Sequence, residues 1–334
     1  MKTSIKLALM ASMFISAGCS HANNNSEGSS SMVDLKNGKS FCAGRYTIQL
    51  PKNAVQFGGG DKYNSFQITS KTGSSVADLN AEYAAVKKYF SGNVSQITLD
   101  TELKKVGSKS VRIFSGKPGT IKNAPLQLKF WVLDRNTLFK FEIPYMLDKK
   151  EIVFDEMNKI IANISARNNN TIPNEKGVCI LNGFIKDPDS QFRKSTHTIA
   201  FNMSGMPSVK MSMQVDAVAQ QLPDLITRTE RNLKRDGILH LTHSSFKTIR
   251  KGEKNQSNGD QLKGLEWVSN APLKGKDGII ATWEHAGTAK KVNDPAVQFD
   301  FDSGYDGNNV QTSDLSEKEA LKMYESILET IKKF

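Results

Sequence analysis

The residues of this chain that could hold a metal ion are few and are poorly spaced for that chemistry. His240 and His243 form the tightest histidine pair. On a strand, this spacing points the two rings to opposite faces, which disfavours a shared ion. Asp300, Asp302 and Asp306 follow the pattern D-x-D-x-x-x-D without the glycine and terminal glutamate of a calcium loop. We therefore expect no metal site and predict that these aspartates lie at a strand end and in a polar turn.

The sequence also lacks the motifs of the common catalytic and nucleotide sites. It contains no G-x-S-x-G, H-E-x-x-H or C-x-x-C pattern. The run Gly58–Gly60 is not followed by the Lys-Ser/Thr pair that a phosphate loop needs, and we predict a turn there. We expect a protein that is not an enzyme, with no cofactor and no small-molecule substrate.

Cys19 is the residue whose surroundings indicate a chemical modification. Two lysines precede an apolar stretch at 7–15 that is too short to span a bilayer, and small residues lead into Cys19. This order is typical of a bacterial lipoprotein signal (residues 1–19), in which the cysteine is acylated and becomes the mature N-terminus. Ser16 departs from the leucine usual at that position. An ordinary cleaved signal, leaving a soluble periplasmic protein, is the alternative.

The residues after Cys19 suit an anchored protein. Residues 20–32 are rich in Ser, Asn and Gly, and such a composition cannot bury enough apolar surface to fold. We predict a flexible tether over residues 20–38. Ser20 stands where an aspartate would favour retention in the inner membrane, so the expected location is the periplasm, with a lipid anchor in the outer membrane.

With Cys19 assigned to lipid, Cys42 and Cys179 remain as a possible disulfide pair. The bacterial periplasm permits such a bond, and so long a loop would contribute roughly 4–5 kcal/mol in the chain-entropy model. Two separate buried thiols are the alternative, because free cysteines are often fully buried.

Length and charge set broad limits on the class of protein. A chain of 334 residues exceeds the size at which a single core stops growing, which favours two domains. The formal net charge of +11 suits an acidic partner or anionic lipid headgroups, although a merely solvated surface has the same composition. Nucleic acid is not an expected partner of an exported protein.

One structural plan occurs twice along the chain. Each half starts with a cysteine-led strand, at 41–54 and 178–190, that ends near a proline. We predict domains at 39–167 and 177–334, joined by the polar linker 168–176. Alternating apolar residues predict further strands; these are 64–70, 109–115, 126–133 and 137–143 in the first half, and 197–203, 209–215, 237–246, 262–269, 278–285 and 297–302 in the second.

Amphipathic helices complete each half. One is predicted from Ser75 to Phe90, with Ser75 as its N-cap. Its counterpart follows Asp216 and is kinked or restarts at Pro223. Closing helices are predicted at 148–167 and 316–334, the second with a capping box. These patterns predict an α+β protein with two similar domains, each an antiparallel sheet with helices packed on one face.

Several segments are candidates for partner recognition, although each has a plainer interpretation. A helix side carries Arg228, Arg231, Lys234 and Arg235, which suits an acidic partner but is more often a solvated face. The polar loops at 244–278 and the glycine run at 57–61 are candidate contact segments. The tryptophans lie in strand patterns and are predicted to be core residues; they are Trp131, Trp267 and Trp283.

Two strings carry a resemblance to a known family. They are CAGRYTIQLPKNA, which begins at Cys42, and GVCILNGFIKD, which begins at Gly177. Together with the signal they resemble the immunity lipoproteins of type VI secretion phospholipase effectors. The resemblance covers most of the mature chain and implies two α+β domains arranged as a claw. It also implies a cognate phospholipase as the partner, which the protein clamps in the periplasm.

Two functions of different classes remain open at this stage. The leading hypothesis is a membrane-tethered inhibitor that blocks the lid or the active-site mouth of the lipase. The alternative is an envelope scaffold or ligand-binding lipoprotein without catalytic activity. A thermal shift with small ligands, and none with a lipase, favours the alternative.

Overall fold

A computed structural model describes residues 34–91, 96–117, 119, 124–188, 191–237, 239, 247–271, 278–304 and 312–334. In the first half, a single turn of 3-10 helix at Leu147–Lys149 precedes the second helix. The elements of this half are β1 (Lys39–Ala43), β2 (Tyr46–Leu50), β3 (Ala54–Tyr63), β4 (Phe66–Thr72), α1 (Val76–Ser91), β5 (Gln96–Asp100), β6 (Lys104–Val106), β7 (Lys109–Lys117), β8 (Leu126–Asp134), β9 (Thr137–Tyr145), α2 (Lys150–Asn163) and β10 (Ile164–Ala166).

The second half repeats this order. Its elements are β11 (Gly177–Ile180), β12 (Gly183–Lys186), β13 (Ser195–Met203), β14 (Met206–Ala217), α3 (Leu225–Arg235), β15 (Thr248–Glu253), β16 (Leu265–Ala271), β17 (Gly278–His285), β18 (Ala296–Ser303), α4 (Glu317–Leu328) and β19 (Lys332–Lys333). None of the described helices is both long and apolar enough to span a membrane.

Thirteen of the described strands, drawn from both halves, join in one antiparallel sheet. The first half contributes the order β3-β4-β9-β8-β7-β5, with β6 beside β7, and the second contributes β13-β14-β18-β17-β16-β15. The halves meet where β3 pairs with β13, with Asp61 opposite His197. Corresponding strands therefore occupy corresponding places on the two sides of this junction. The predicted α+β class with antiparallel sheets is confirmed.

The first hairpin of each half pairs with a strand of the other half. The hairpin β1–β2 pairs with β19, the strand that follows the last helix. The hairpin β11–β12 pairs with β10, the strand that follows α2. Side chains of the first hairpin, such as Tyr46 and Ile48, belong to the apolar cluster of the second half, and Val178 and Ile185 belong to that of the first. The predicted ranges 39–167 and 177–334 thus each contribute to both cores.

The prediction that helices pack on one face of each sheet is wrong. In β8, Phe130 and Val132 share a cluster with Ile160 of α2, whereas Trp131 shares another with Tyr83 of α1. Because successive side chains of a strand point to opposite faces, α1 and α2 lie on opposite sides. The second half has the same arrangement, since Trp267 packs with Leu233 of α3 and its neighbour Val268 with the cluster that contains α4.

Two helix starts follow from capping side chains. Ser316 Oγ accepts a hydrogen bond from the Glu319 amide, and the Glu319 carboxylate accepts one from the Ser316 amide at 2.9 Å, which confirms the predicted capping box. The helix predicted after Asp216 instead begins beyond Pro223, where the Asp224 side chain accepts from the Thr227 amide at 2.9 Å. Asp216 belongs to β14, because its neighbours pair with β13 and β18.

The closing helices are shorter than predicted. Helix α2 ends at Asn163 and α4 at Leu328. The apolar residue after each helix, Ile164 or Ile331, is buried, and the chain there continues as the short strand that receives the other half's hairpin. The strands β3, β5, β6, β10, β15 and β19 were not predicted, and most of the predicted strand 237–246 lies outside the described residues.

Candidate functional site

A disulfide joins the two exchanged hairpins at the centre of the molecule. Cys42 of β1 and Cys179 of β11 are bonded, with their Cα atoms 5.8 Å apart. Beside the bond, the Gly44 amide donates to the Cys179 carbonyl at 3.0 Å, and the Cys179 amide donates back at 2.7 Å. Both sulfurs lie in a small buried cluster with Phe184. Cys19, the predicted lipidation site, lies outside the described residues.

A buried ion-pair geometry holds β3 to β13. Nδ1 of His197 lies 2.8 Å from Oδ1 of Asp61, and Oδ2 of Asp61 accepts from the Leu181 amide at 2.8 Å. Both side chains are buried. Nε2 of His197 has no hydrogen-bond partner among the described residues, so the pair is not completed by a hydroxyl into a catalytic triad there. Through these hydrogen bonds the Asp61–His197 pair connects both half-sheets to the turn between β11 and β12.

A second polar cluster surrounds the buried carboxylate of Asp187. That group accepts hydrogen bonds from Arg45 at 2.9 Å, from the Tyr63 hydroxyl at 2.9 Å and from Arg193 at 3.2 Å. Arg193 also donates to Glu156 of α2 at 3.1 Å. Burial, and then the negative charge of Asp187, raise the pKa of Tyr63 well above its ordinary value. The cluster thus links the first hairpin, β3, α2 and the start of the second half.

Arg167 fastens the predicted linker 168–176 to the body of the protein. Its guanidinium donates to the carbonyls of Gly183 at 3.2 Å, Ile180 at 3.3 Å and Thr171 at 2.8 Å, and also to two linker carbonyls at 168 and 169. Burial lowers the pKa of Arg167 to about 10. The linker therefore follows a fixed course over the exchanged hairpin.

The prediction of a turn at Gly58–Gly60 is wrong, because these residues belong to strand β3. They lie opposite Ala200, Ile199 and Thr198 of β13. A Cβ atom on Gly59 would come within 2.7 Å of the Thr198 carbonyl oxygen, so close backbone approach explains a glycine at that position. Glycine runs suggest turns when only sequence is known, and the pairing strand lies far along the chain.

A groove opens beside this glycine run. Its volume is about 390 Å³, and it lies between β3, the start of β1, the end of β4 and the fastened linker. Two large apolar side chains of β3 are exposed next to it, Val55 at 51% and Phe57 at 47%. The residues that line the groove include Lys39, Val55, Gln56, Thr72, Asn169 and Asn182. We call this feature the β3 groove.

The aspartates considered for calcium lie on the polar face of β18. The carboxylate of Asp300 accepts from Thr282 at 2.8 Å and from Gln298 at 2.9 Å. Burial, with the adjacent Asp300, raises the pKa of Asp302 to about 8. Within the described ranges, no group of three or more metal-binding side chains occurs. Asp306, His240 and His243 lie outside the described residues.

The other candidate segments are more structured than expected. Much of the predicted loop 244–278 forms β15 and β16, because these strands pair in register. On the basic side of α3, Arg228 forms an ion pair with Glu284 at 2.5 Å and Arg235 with Asp236 at 2.9 Å. The three tryptophans are buried, as predicted.

Comparisons with known proteins give one matching family model and several solved structures with a similar fold. Residues 171–333 match the family model described as the C-terminal domain of Tle cognate immunity protein 4. The apo structure of the immunity protein TplEi of the T6SS from Pseudomonas aeruginosa aligns with a TM-score of 0.71 at 17% identity, covering 90% of this chain and 99% of that one. The search of curated protein sequences returned no match.

Two further solved structures share the fold. The Tle4–Tli4 complex contains a chain that aligns with a TM-score of 0.71 at 18% identity, covering 90% of this chain and 98% of that one. TplEi from Pseudomonas aeruginosa complexed with the "L" peptide aligns with a TM-score of 0.67 at 19% identity, covering 90% and 99%. At such identities these likenesses establish a common fold over nearly the full length of those chains.

Proposed function

We propose that the protein is an immunity protein, on the premise that its residues 171–333 match the family model described as the C-terminal domain of Tle cognate immunity protein 4. It binds a type VI secretion phospholipase effector in the periplasm and neutralises it by covering its lid or active-site mouth. The family match carries this proposal, and the shared fold with an immunity protein over 90% of the chain supports it.

The proposed mode of action is binding rather than catalysis. Specific protein complexes bury on the order of 1,200–2,000 Å², an area large enough to cover a lipase mouth. The disulfide, the continuous sheet and the buried clusters around Asp61 and Asp187 fix the two halves before a partner arrives. A preorganised surface loses less conformational entropy on binding, which favours tight inhibition.

The charge of the protein suits capture of an acidic partner. A formal net charge of +11 attracts acidic surfaces over several ångströms and accelerates encounter at low salt. Because half of the basic side of α3 is already paired with carboxylates, we assign that helix to the structure rather than to the contact surface.

We further propose that Cys19 is acylated and anchors the protein to the outer membrane through the tether at 20–38. The signal at 1–19 and the serine after the cysteine support this location. Replacing the cysteine (Cys19→Ala) is expected to remove the mature protein from the membrane fraction. Mass spectrometry of the N-terminus measures the same property directly. An unmodified N-terminal residue in the wild-type protein contradicts the anchor.

Inhibition of a purified effector tests the function itself. A purified type VI secretion phospholipase effector of the Tle4 kind is incubated with phospholipid vesicles, and released fatty acid is measured as the immunity protein is added. We expect hydrolysis to fall to background near equimolar protein. An unaffected rate at a large excess of the protein contradicts the proposal.

A further inference from the structure

The sheet is interrupted beside the glycine run. Strand β3 extends over Ala54–Tyr63 and β4 over Phe66–Thr72, yet the two pair only at Asp61↔Ile68, Lys62↔Gln67 and Tyr63↔Phe66. Beyond these pairs, β4 continues along β9 and β3 along β13. The described part of the sheet therefore opens in a V between the halves, and the β3 groove lies in this opening.

Two local features account for the divergence of the strands. Along β3 the paired residues pass from Gly58 to Gln56, whereas the partner position on β13 advances by only one residue. Phe57 is therefore the extra residue of a bulge, and bulges bend the strand that carries them. The turn between β11 and β12 lies between the diverging strands and is attached to both: the Leu181 amide donates to Asp61 of β3 at 2.8 Å. The Ser70 hydroxyl donates to the Leu181 carbonyl at 2.9 Å, and Asn182 donates to that hydroxyl at 3.1 Å.

Hairpin geometry indicates which backbone groups face the opening. Asn64 and Ser65 form a two-residue turn with positive φ angles of 46° and 70°, so the flanking pair Tyr63↔Phe66 exchanges hydrogen bonds. Alternate residues of β3 then direct their N–H and C=O groups towards β4. The series Tyr63, Asp61, Gly59 places the amide and carbonyl of Gly59 at the first position where β4 no longer pairs.

The faces of the sheet are uncovered at this edge. A Cβ atom on Gly58 or on Gly60 would point out of the sheet and would meet nothing within 4 Å. An unpaired strand edge is a template for a further strand, and bare glycine backbone allows another backbone to come close. Peptides that add to such an edge bind through main-chain hydrogen bonds and gain specificity from alternate side chains.

The charged and exposed apolar side chains around the β3 edge determine which kind of peptide segment can bind there. Val55 and Phe57 offer apolar contacts. Lys39 lines the groove, and Lys62 of β3 is exposed, whereas the ammonium of Lys71 on β4 lies 3.7 Å from the Asp78 carboxylate. The carboxylate of Asp61 on the same strand is engaged by His197 and the Leu181 amide. An extended segment with acidic and apolar residues is complementary to this edge.

We propose that the open edge of β3 at Val55–Gly60 receives an extended, acidic segment of the cognate effector as an added strand. The inference rests on the proposed immunity function and names the contact through which it operates. The strand order β13-β3 positions the edge, and the disulfide and the Asp61–His197 pair keep the two half-sheets from moving apart and changing its shape.

Matched charge variants test this contact without disturbing the core. Val55→Glu and Gly60→Glu each place a negative charge beside the edge. Val106→Glu is the control, because Val106 is also exposed, at 41%, on the short strand β6. Gly60→Lys has a side chain of similar length and the opposite charge. The dissociation constant for the purified phospholipase effector that the wild-type protein inhibits is measured for each variant.

We expect Val55→Glu and Gly60→Glu to raise Kd by at least about tenfold, while Gly60→Lys and Val106→Glu stay within about twofold of the wild type. Hydrogen exchange of the wild-type complex is expected to slow at the Gly59 amide, which faces the opening. Unchanged Kd in both glutamate variants, or unchanged exchange at Gly59, overturns the edge contact while leaving the immunity function intact.

Two further outcomes also contradict the proposed contact between the β3 edge and the effector. A wild-type protein that fails to bind the effector overturns the immunity function and this inference with it. Self-association of the free protein, seen as a dimer in light scattering and abolished by Gly60→Glu, assigns the edge to a second copy of this chain and overturns the effector segment.

Discussion

At the scale of single residues, the disulfide has the clearest energetic role. Cys42 and Cys179 are 137 residues apart in the chain. They join two hairpins that already share backbone hydrogen bonds between Gly44 and Cys179. Closing so long a loop lowers the entropy of the unfolded chain, so the bond stabilises the exchanged arrangement rather than either half alone.

Removing this bond is expected to destabilise the protein strongly. The double replacement Cys42→Ala/Cys179→Ala, with alanine chosen because both sites are buried, should lower the free energy of unfolding by roughly 4–5 kcal/mol. Urea denaturation of the purified variant measures the change, and the wild type treated with reductant is the matched control. A loss below about 1 kcal/mol in both samples contradicts this role.

Sequence reasoning identified the two cysteines but not the buried groups around them. The possible pair followed from the exported address and the number of cysteines. Asp61 and His197 have no recognisable spacing, because they meet only when β3 pairs with β13. Arg167 gave no signal either, since its partners are backbone carbonyls, which every residue possesses.

At the scale of elements, the exchange of hairpins determines how the halves depend on each other. Tyr46, Ile48 and Leu50 of β2 are fully buried in the core of the second half. Truncating a fully buried apolar residue typically costs about 2–5 kcal/mol, and removing the whole hairpin removes all three. The second half therefore needs residues that lie at the start of the chain.

A fragment experiment tests this dependence. Residues 177–334, the range predicted as one domain, are expected not to unfold cooperatively when purified alone. A peptide of residues 34–50 added in trans should restore a cooperative thermal transition, because it supplies the missing core strands. The same peptide with Ile48→Asp is the control and should have no effect. Cooperative unfolding of the fragment without any peptide contradicts the dependence.

Periodicity predicted most elements but not their partners. The alternating patterns at 209–215, 126–133 and 137–143 match β14, β8 and β9, because a strand with one buried face shows its period directly. The same pattern does not predict which element packs against the buried face. Strand β3 was missed because residues 55–60 are largely exposed on both faces, so no alternation is visible there.

At the scale of the whole molecule, the duplication explains the single continuous sheet. Each half brings its first long strand to the junction, where β3 and β13 pair as equivalent elements. The repeat itself could be predicted from the order of strands and helices. The joining of the sheets could not, because strand edges have no distinct sequence signature. The result is a rigid scaffold with one interruption, at the β3 groove.

Protection of living cells tests the immunity function most directly. A type VI secretion phospholipase effector of the Tle4 kind is directed to the periplasm of a host that lacks both proteins, with or without the immunity protein, and surviving colonies are counted. A catalytically dead lipase is the control for expression burden. We predict that cells survive the active lipase only when the immunity protein is present. Equal survival with and without it contradicts the account.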